Sequence, residues 1–296
     1  MQSEGERMNY TNKANLPEPM VKALMFDDYE HKGNISVTGL ITPPRIYQLL
    51  KRHDKEIIID VLNNFWSMLG KAMHLILDQY AEKSNVLSEE RIYMNINGWK
   101  VGAKPDLWEP PATLGDYKFT SVWTVIYGLK PEWEAQMNCY RPFYDVATFF
   151  VEQMKIYVLG RDWSRTKSLQ DPKYPKYEIS VLPVPMWNMD DIWKFMEERI
   201  QLHQQCENLA DDELPYCTPE ERWEKKTTWA VMKEGRKKAV RVFDDKDKMI
   251  DYYMHFTDDK KYSWVERPGE STRCEHYCPV KGFCNQYKLM KEEKHG

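Results

Sequence analysis

Apolar and polar positions along the chain alternate with different periods in different stretches. Up to about residue 40 the order is polar and mixed, with no sustained repeat. Thr42-Pro43-Pro44 marks a helix start, because proline is tolerated in a first turn whose amides have no partner. Val61, Leu62, Phe65, Leu69, Ala72, Met73, Ile76 and Tyr80 then recur at helical spacing and predict a long helix. Its other face carries Asn63, Ser67, Gly70, His74 and Asp78. Arg91 to Ile96 reads as a strand, Asn97-Gly98 as a hairpin turn, and Trp99 to Trp108 as the returning strand. Beyond Pro110-Pro111, Leu114 to Phe119 is a third strand. Pro131 to Leu159 reads as helix with Gly160 as its C-cap, Lys176 to Val184 as a strand, and Asp190 to Gln205 as a helix. Thr227–Lys233 and Lys238–Phe243 form a hairpin around Glu234-Gly235, followed by a helix over Asp244–Phe256. Helix, three strands, helix, then mixed elements predict an α/β or α+β domain with a central mixed sheet. The chain is expected to divide into a polar N-terminal segment (1–41), a core (42–210) and a C-terminal region (211–296).

Composition narrows the class. The chain has 296 residues, 42% hydrophobic and 30% charged, which excludes an intrinsically disordered or collagen-like chain. No long uncharged apolar run exists and the mean hydropathy is −0.71, so no membrane span is expected. The stretch Met1 to Arg7 lacks the apolar run of a secretory signal, which gives a cytosolic expectation. Net charge is −4, a balance that neither announces nor excludes a nucleic-acid partner, since a local basic groove can sit under an acidic total.

The densest candidate chemistry lies between His74 and Tyr140. Asp106 ends the second hairpin strand, and Asp116-Tyr117-Lys118 follows on the third. Residues two apart on a strand share a face, so Asp116 and Lys118 project together, and the Pro-Pro segment can return Asp106 beside them. Two carboxylates on one side repel unless a cation sits between them, and hard oxygen ligands favour Mg²⁺ or Mn²⁺. A lysine there can orient a metal-bound water or stabilise charge on a phosphate, a set that suits phosphodiester hydrolysis.

Asp106 followed by Asp116-x-Lys118 resembles the motif of the PD-(D/E)XK nucleases, most closely the RecB-like and AddB-like branch, which includes nucleases of CRISPR adaptation. Gly70 and His74 match that branch's glycine and histidine on the helix before the sheet, and Gln136 with Tyr140 match its glutamine and tyrosine on the helix after it. The four motifs appear in the family's order. The resemblance covers roughly residues 60 to 145. It implies a restriction-endonuclease-like core with a mixed sheet flanked by helices, and His74, Asp106 and Asp116 as metal ligands. It also implies a water-positioning Lys118, with Gln136 and Tyr140 bracing the lysine or touching the DNA backbone.

Six cysteines are present, and Cys274, Cys278 and Cys284 lie close together in the tail. Without a secretory signal, a metal or cluster site is a better expectation than disulfides, and Cys217 is the best fourth ligand. Four thiolates suit a [4Fe–4S] cluster or a structural Zn²⁺. The RecB-like nucleases with clusters resemble this plan of one distant cysteine and a C-terminal trio, although their trio is spaced two residues apart at its start and this one three. Cys139 and Cys206 read as packing residues. The basic stretch Lys233 to Arg241 is a candidate phosphate track, and Tyr117, Phe119, Trp123 and Tyr127 are candidates for stacking on unpaired bases.

The expectation from sequence is therefore a Mg²⁺- or Mn²⁺-dependent deoxyribonuclease. It would act as an exonuclease on DNA ends or single strands, in recombination, replication or repair of a bacterial or phage type. No Walker loop is present, so any unwinding would come from a helicase or recombination partner. The second reading is a non-catalytic, nuclease-like DNA-binding or scaffold subunit of a recombination or CRISPR-adaptation complex.

Overall fold

The computed structural model describes residues 9–27, 32–81, 84, 86–256 and 259–295. It forms two compact units. The first comprises the chain up to Tyr47 together with Asp54–Asn208, and the second comprises Gln48–His53 and Leu209–Gly296. No helix of the described residues is long and apolar enough to cross a membrane.

In the first unit, β1 (Asn9–Thr11) and α1 (Glu18–Leu24) precede β2 (Ile35–Ser36), α2 (Val37–Ile41) and α3 (Pro44–His53). Then come β3 (Ile58–Asp60), a 3₁₀ turn (Val61–Asn64), α4 (Phe65–Ala81), β4 (Leu87–Ser88), β5 (Ile92–Ile96), β6 (Trp99–Ala103) and β7 (Leu107–Glu109). After these follow β8 (Thr113–Thr120), α5 (Trp123–Tyr127), α6 (Pro131–Val146), β9 (Gln153–Gly160), α7 (Arg165–Gln170), β10 (Ile179–Pro183) and α8 (Met189–Cys206).

The main sheet has the order β10-β9-β8-β7-β4; β8 and β9 run parallel, and the other pairs are antiparallel. This is a mixed α/β fold with a central mixed sheet flanked by helices. The parallel pair follows from the α6 crossover, which returns the chain to the end where β8 began. A second sheet, β2-β6-β5, contains the expected hairpin, with Asn97 at φ 47° and Gly98 at φ 78° in the left-handed turn that asparagine and glycine favour. The core joins both sheets to α2, α6 and α8, with Ile35, Val37, Leu40, Leu114, Met137, Phe143, Ile156, Val158, Ile192 and Ile200 buried in it.

Several elements differ from the sequence expectation. The polar segment before residue 41 carries core residues: Ser36 accepts a hydrogen bond from the Gly39 amide at 3.0 Å, capping α2 and turning Val37 and Leu40 inward. The strand expected over Trp99–Trp108 is broken at Lys104-Pro105-Asp106 into β6 and β7, which belong to different sheets. Proline there has no amide to give to a ladder. The helix expected to reach Leu159 stops at Val146, and Thr148 turns the chain at φ 67°. Met154, Ile156 and Val158 then alternate buried with their neighbours, a period of two, so Gly160 closes a strand and caps no helix. Finally, α4 has no buried residue. Phe65, Ile76 and Tyr80 of its apolar stripe are exposed, whereas such a stripe ordinarily faces the core.

The second unit contains β11 (Glu224–Lys225), β12 (Thr228–Lys233), β13 (Arg241–Phe243), α9 (Lys246–Met254), β14 (Tyr262–Arg267), β15 (Glu270–Ser271), a π-helical turn (Arg273–Tyr277) and α10 (Asn285–His295). The expected hairpin is the β12–β13 pair. A third strand, β14, joins its other side, so β12 is central and buries Ala230 and Val231.

Candidate functional site

Strand β8 organises the site by alternation. Asp116 and Lys118 point to the face covered by α6, while the rings of Tyr117 and Phe119 meet His74 and Trp66 of α4 on the other. Gly115 admits β7 closely: a Cβ there would lie 2.5 Å from Leu107 Cδ2. That approach sets Asp106, just before β7, against β8, where its Oδ2 accepts the Tyr117 amide at 2.5 Å. Glu89 N and Ser88 Oγ both donate to the Asp106 carbonyl, at 3.2 and 3.3 Å, which ties β4 to the same point.

A cavity of about 380 Å³ opens here, and its walls include His74, Glu89, Asp106, Asp116, Lys118, Gln136 and Tyr140. Of the seven residues that the motifs single out in this region, six therefore share one cavity, and Gly70 does not line it. His74 Nδ1 lies 3.4 Å from Glu89 Oε1 and 3.6 Å from Asp106 Oδ1. One ligand atom from each of His74, Glu89 and Asp106 falls within 4.8 Å of the others, spacing that admits a single cation. Asp116 is not part of that tight group. Its Oδ2 pairs with Lys118 Nζ at 2.5 Å, and Lys118 Nζ also donates to Gln136 Oε1 at 3.3 Å. Gln136 and Tyr140, one turn apart on α6, meet directly: Gln136 Nε2 donates to the Tyr140 hydroxyl at 2.7 Å.

Glu89 is the residue that the motif reading passes over. It sits at φ 54°, pairs closely with Lys104, and faces His74. A single acid ahead of a strand has no periodicity to mark it, and only the fold of β4 against β7 delivers it to the cavity.

The charges in the cavity act on one another. Burial, then the negative charge of Asp116, pushes Asp106 up to about 7. Burial pulls His74 down, but the Glu89 hydrogen bond and the charges of Asp106, Glu89 and Asp116 outweigh it and hold His74 above its ordinary value. Burial raises Glu89, and the His74 and Lys104 contacts more than reverse this. Burial, reinforced by the Asp116 charge, raises Tyr140 far enough that its phenol is neutral at every physiological pH. The Asp106 carboxyl, raised in part by the Asp116 charge and set beside a histidine and a third acid, fits a hard divalent cation, whose charge would relieve that repulsion.

The cysteines lie apart from this cavity in sequence and in unit. Cys217 and Cys284 are buried, and Cys274 and Cys278 are half-buried at the two ends of the π-helical turn. Gln286 holds the Cys217 backbone from both sides, accepting from its amide and donating to its carbonyl at 2.9 Å each. Burial first, then the charges of Glu221, Cys284, Cys274 and Cys278, pushes Cys217 up to about 12. Burial and the Cys278 and Cys284 charges push Cys274 to about 11. Among the described residues no cysteine belongs to a group of three or more ligand atoms within 4.8 Å.

Comparison of the sequence with protein-family models and with curated proteins gives no match. Among solved structures, the fold is similar to the crystal structure of SSO0001, with a TM-score of 0.43 and 16% identity over 63% of this chain and 83% of that one. It is also similar to an alkaline exonuclease, LHK-Exo, from Laribacter hongkongensis, with a TM-score of 0.30 and 16% identity over 43% of this chain and 62% of that one. Likeness at this level concerns shape and carries no assignment of activity.

Proposed function

We propose that the first unit is a metal-dependent DNA nuclease with a restriction-endonuclease-like core of the PD-(D/E)XK type, cleaving phosphodiester bonds as an exonuclease at ends or in single strands. The observation that carries this reading is the meeting of His74, Asp106, Asp116, Lys118, Gln136 and Tyr140, from α4, the β6–β7 break, β8 and α6, around one cavity. His74, Asp106 and Asp116 would hold Mg²⁺ or Mn²⁺, with Glu89 as a further ligand. Bound there, the ion supplies Lewis acidity toward a phosphate oxygen and a lowered pKa for water.

The chain's own residues do the rest. Lys118 is steered by Asp116 on one side and Gln136 on the other, so its ammonium group holds a fixed direction in the cavity. From there it orients the attacking water and offsets negative charge gathering on the phosphate. Tyr140 stays neutral and fixes the Gln136 amide, which leaves the Gln136 carbonyl oxygen facing the lysine. Lys71, Arg91 and Lys104 also line the cavity and supply positive charge for the flanking phosphates.

The test is cleavage of end-labelled single- and double-stranded linear DNA with Mg²⁺ or Mn²⁺. Activity should vanish with EDTA, and Lys118→Ala should lower it at least about 100-fold, the scale of losing a preorganised electrostatic group. Activity untouched by either treatment, or no cleavage of any substrate, overturns the reading.

We further propose that Cys217, Cys274, Cys278 and Cys284 hold a [4Fe–4S] cluster that staples the second unit, with Zn²⁺ as the competing occupant. The four thiols influence one another's ionisation, yet no three of them are as close as a tetrahedral ion draws its ligands. Anaerobically purified protein should contain about four irons with matching acid-labile sulfide. Zinc in place of iron, or neither metal, defeats this assignment.

A further inference from the structure

Both strands of the parallel pair β8–β9 end among exposed aromatic rings with cations on their faces. Trp66 of α4 is 46% exposed, meets Phe65 edge-on at 5.0 Å and Phe119 at 6.3 Å, and carries the Arg161 guanidinium 4.3 Å from its ring centre. Arg161 follows β9 directly, and its amide donates to the Thr120 carbonyl at the end of β8. Beyond β8, Trp123 and Tyr127 stack at 6.1 Å with an interplanar angle of 27°, 42% and 83% exposed, and Lys167 lies 5.4 Å over Trp123. The turn beneath them is rigid, since Asp162 accepts from the Val122 amide and the Ser121 hydroxyl at 2.7 Å each.

We propose that these rings form a track for an unpaired polynucleotide strand leading to the cavity, its bases stacking on Trp66 and on the Trp123–Tyr127 pair and its phosphates meeting Arg161 and Lys167. The proposal rests on the nuclease reading and names the form of nucleic acid that site takes. Three observations carry it. Large rings this exposed leave flat apolar surface close together that a stacking ligand would cover. Trp66 and Trp123 each hold a mobile cationic side chain beside the ring, Arg161 and Lys167, which a base could displace from the ring face toward its own phosphate; that pairing matches a polyanion with flat faces and suits an apolar protein partner poorly. The track also runs toward the site: Trp66 stands eight positions before His74 on α4, about 12 Å along the axis, and its ring meets Phe119, which shares a face of β8 with Tyr117, a residue of the cavity wall. Inside a duplex the bases are already stacked on one another, so only a terminal pair could meet such a ring and a run of rings would go unused.

Binding of a fluorescent oligodeoxythymidine strand and of a blunt hairpin duplex, measured by anisotropy in EDTA so that nothing is cut, tests this. Trp66→Ala should weaken the single strand by about 5- to 100-fold and change the duplex little. Trp66→Phe should retain most of the affinity, which guards against a folding defect. Arg161→Ala should reduce the slope of log affinity against log salt by about 0.7 for the single strand. Equal affinity of Trp66→Ala and wild type for the single strand overturns the track, as does equal loss on both substrates or a change of oligomeric state in place of affinity. Because no cleavage is measured, strand binding that depends on Trp66 in a protein that never cuts DNA would uphold the track while sinking the nuclease reading. Cleavage without Trp66 dependence would do the reverse.

Discussion

Glu89 shows how one side chain gathers meaning only in its surroundings. Its left-handed backbone, its pair with Lys104 and its contact to His74 hold an acid at the mouth of a cavity that already contains Asp106 and Asp116. If Glu89 helps to hold the divalent ion, Glu89→Gln should raise the Mn²⁺ concentration needed for half-maximal cleavage about 10- to 100-fold, the cost of losing a supporting partner. Excess Mn²⁺ should then restore the rate, whereas Lys118→Ala should stay inactive at any metal concentration. A metal titration of the three proteins separates these outcomes. At this scale, what could be read ahead of the structure was what has a period. Asp116 and Lys118 share a face by strand alternation, and Gln136 and Tyr140 by the helical turn, and the structure puts both pairs at the cavity. His74 was readable through its place on the polar side of an apolar repeat. Glu89 and Lys104 carry no such mark, and the pair forms only because two separate sheets meet at the Pro105 break.

At the level of elements, α2 depends on α8. The short helix leaves its last carbonyls without helical partners, and Arg199 and His203 supply them. Arg199 donates to the Leu40 and Thr42 carbonyls at 3.0 and 2.7 Å, and His203 Nε2 meets the Leu40 carbonyl at 3.1 Å. His203 is buried, and its Nδ1 has no hydrogen-bond partner, which requires the neutral ring with its proton on Nε2. Burial first, and then the Arg199 charge, lowers it to about 4. A base whose folded value is depressed binds protons more readily when unfolded. Its contribution to stability is thus complete above about 6.5 and is lost as pH falls toward about 4. The loss is on the order of 3 kcal/mol. His203→Gln keeps a donor for the carbonyl and removes the titration, so the gap in urea midpoint between variant and wild type should shift in the variant's favour as pH drops through that window. A gap that stays constant with pH would show that His203 does not titrate with folding. Elements with a clear repeat, such as α8 and β5, were legible within a residue or two, as was the Asn97-Gly98 turn, but not the end of β6. The three-residue apolar set Ile35, Val37 and Leu40 was too short to show any period, and β9 was hidden because its alternation follows a helix without a proline or glycine between them.

At the scale of the whole molecule, composition shifts near Asp211, and the second unit takes the chain from Leu209 onward. Residues 48–53 belong with it as well, although nothing in their composition says so, because they are the later turns of the unbroken helix α3. Arg52 and His53 reach Asp211 at 2.7 and 2.6 Å, and the His53 ring stacks on Phe283 at 4.2 Å. Arg52 and Asp211 are 159 positions apart, and nearly all the first unit's sheet and helices lie between them. On a ribosome adding about 5 to 20 residues per second, the end of α3 therefore waits many seconds for the rest of its unit to be made. The first unit, by contrast, has all its strands by then and can close first, drawing the two ends of the later one toward each other and sparing it most of the entropy of closing so long a loop.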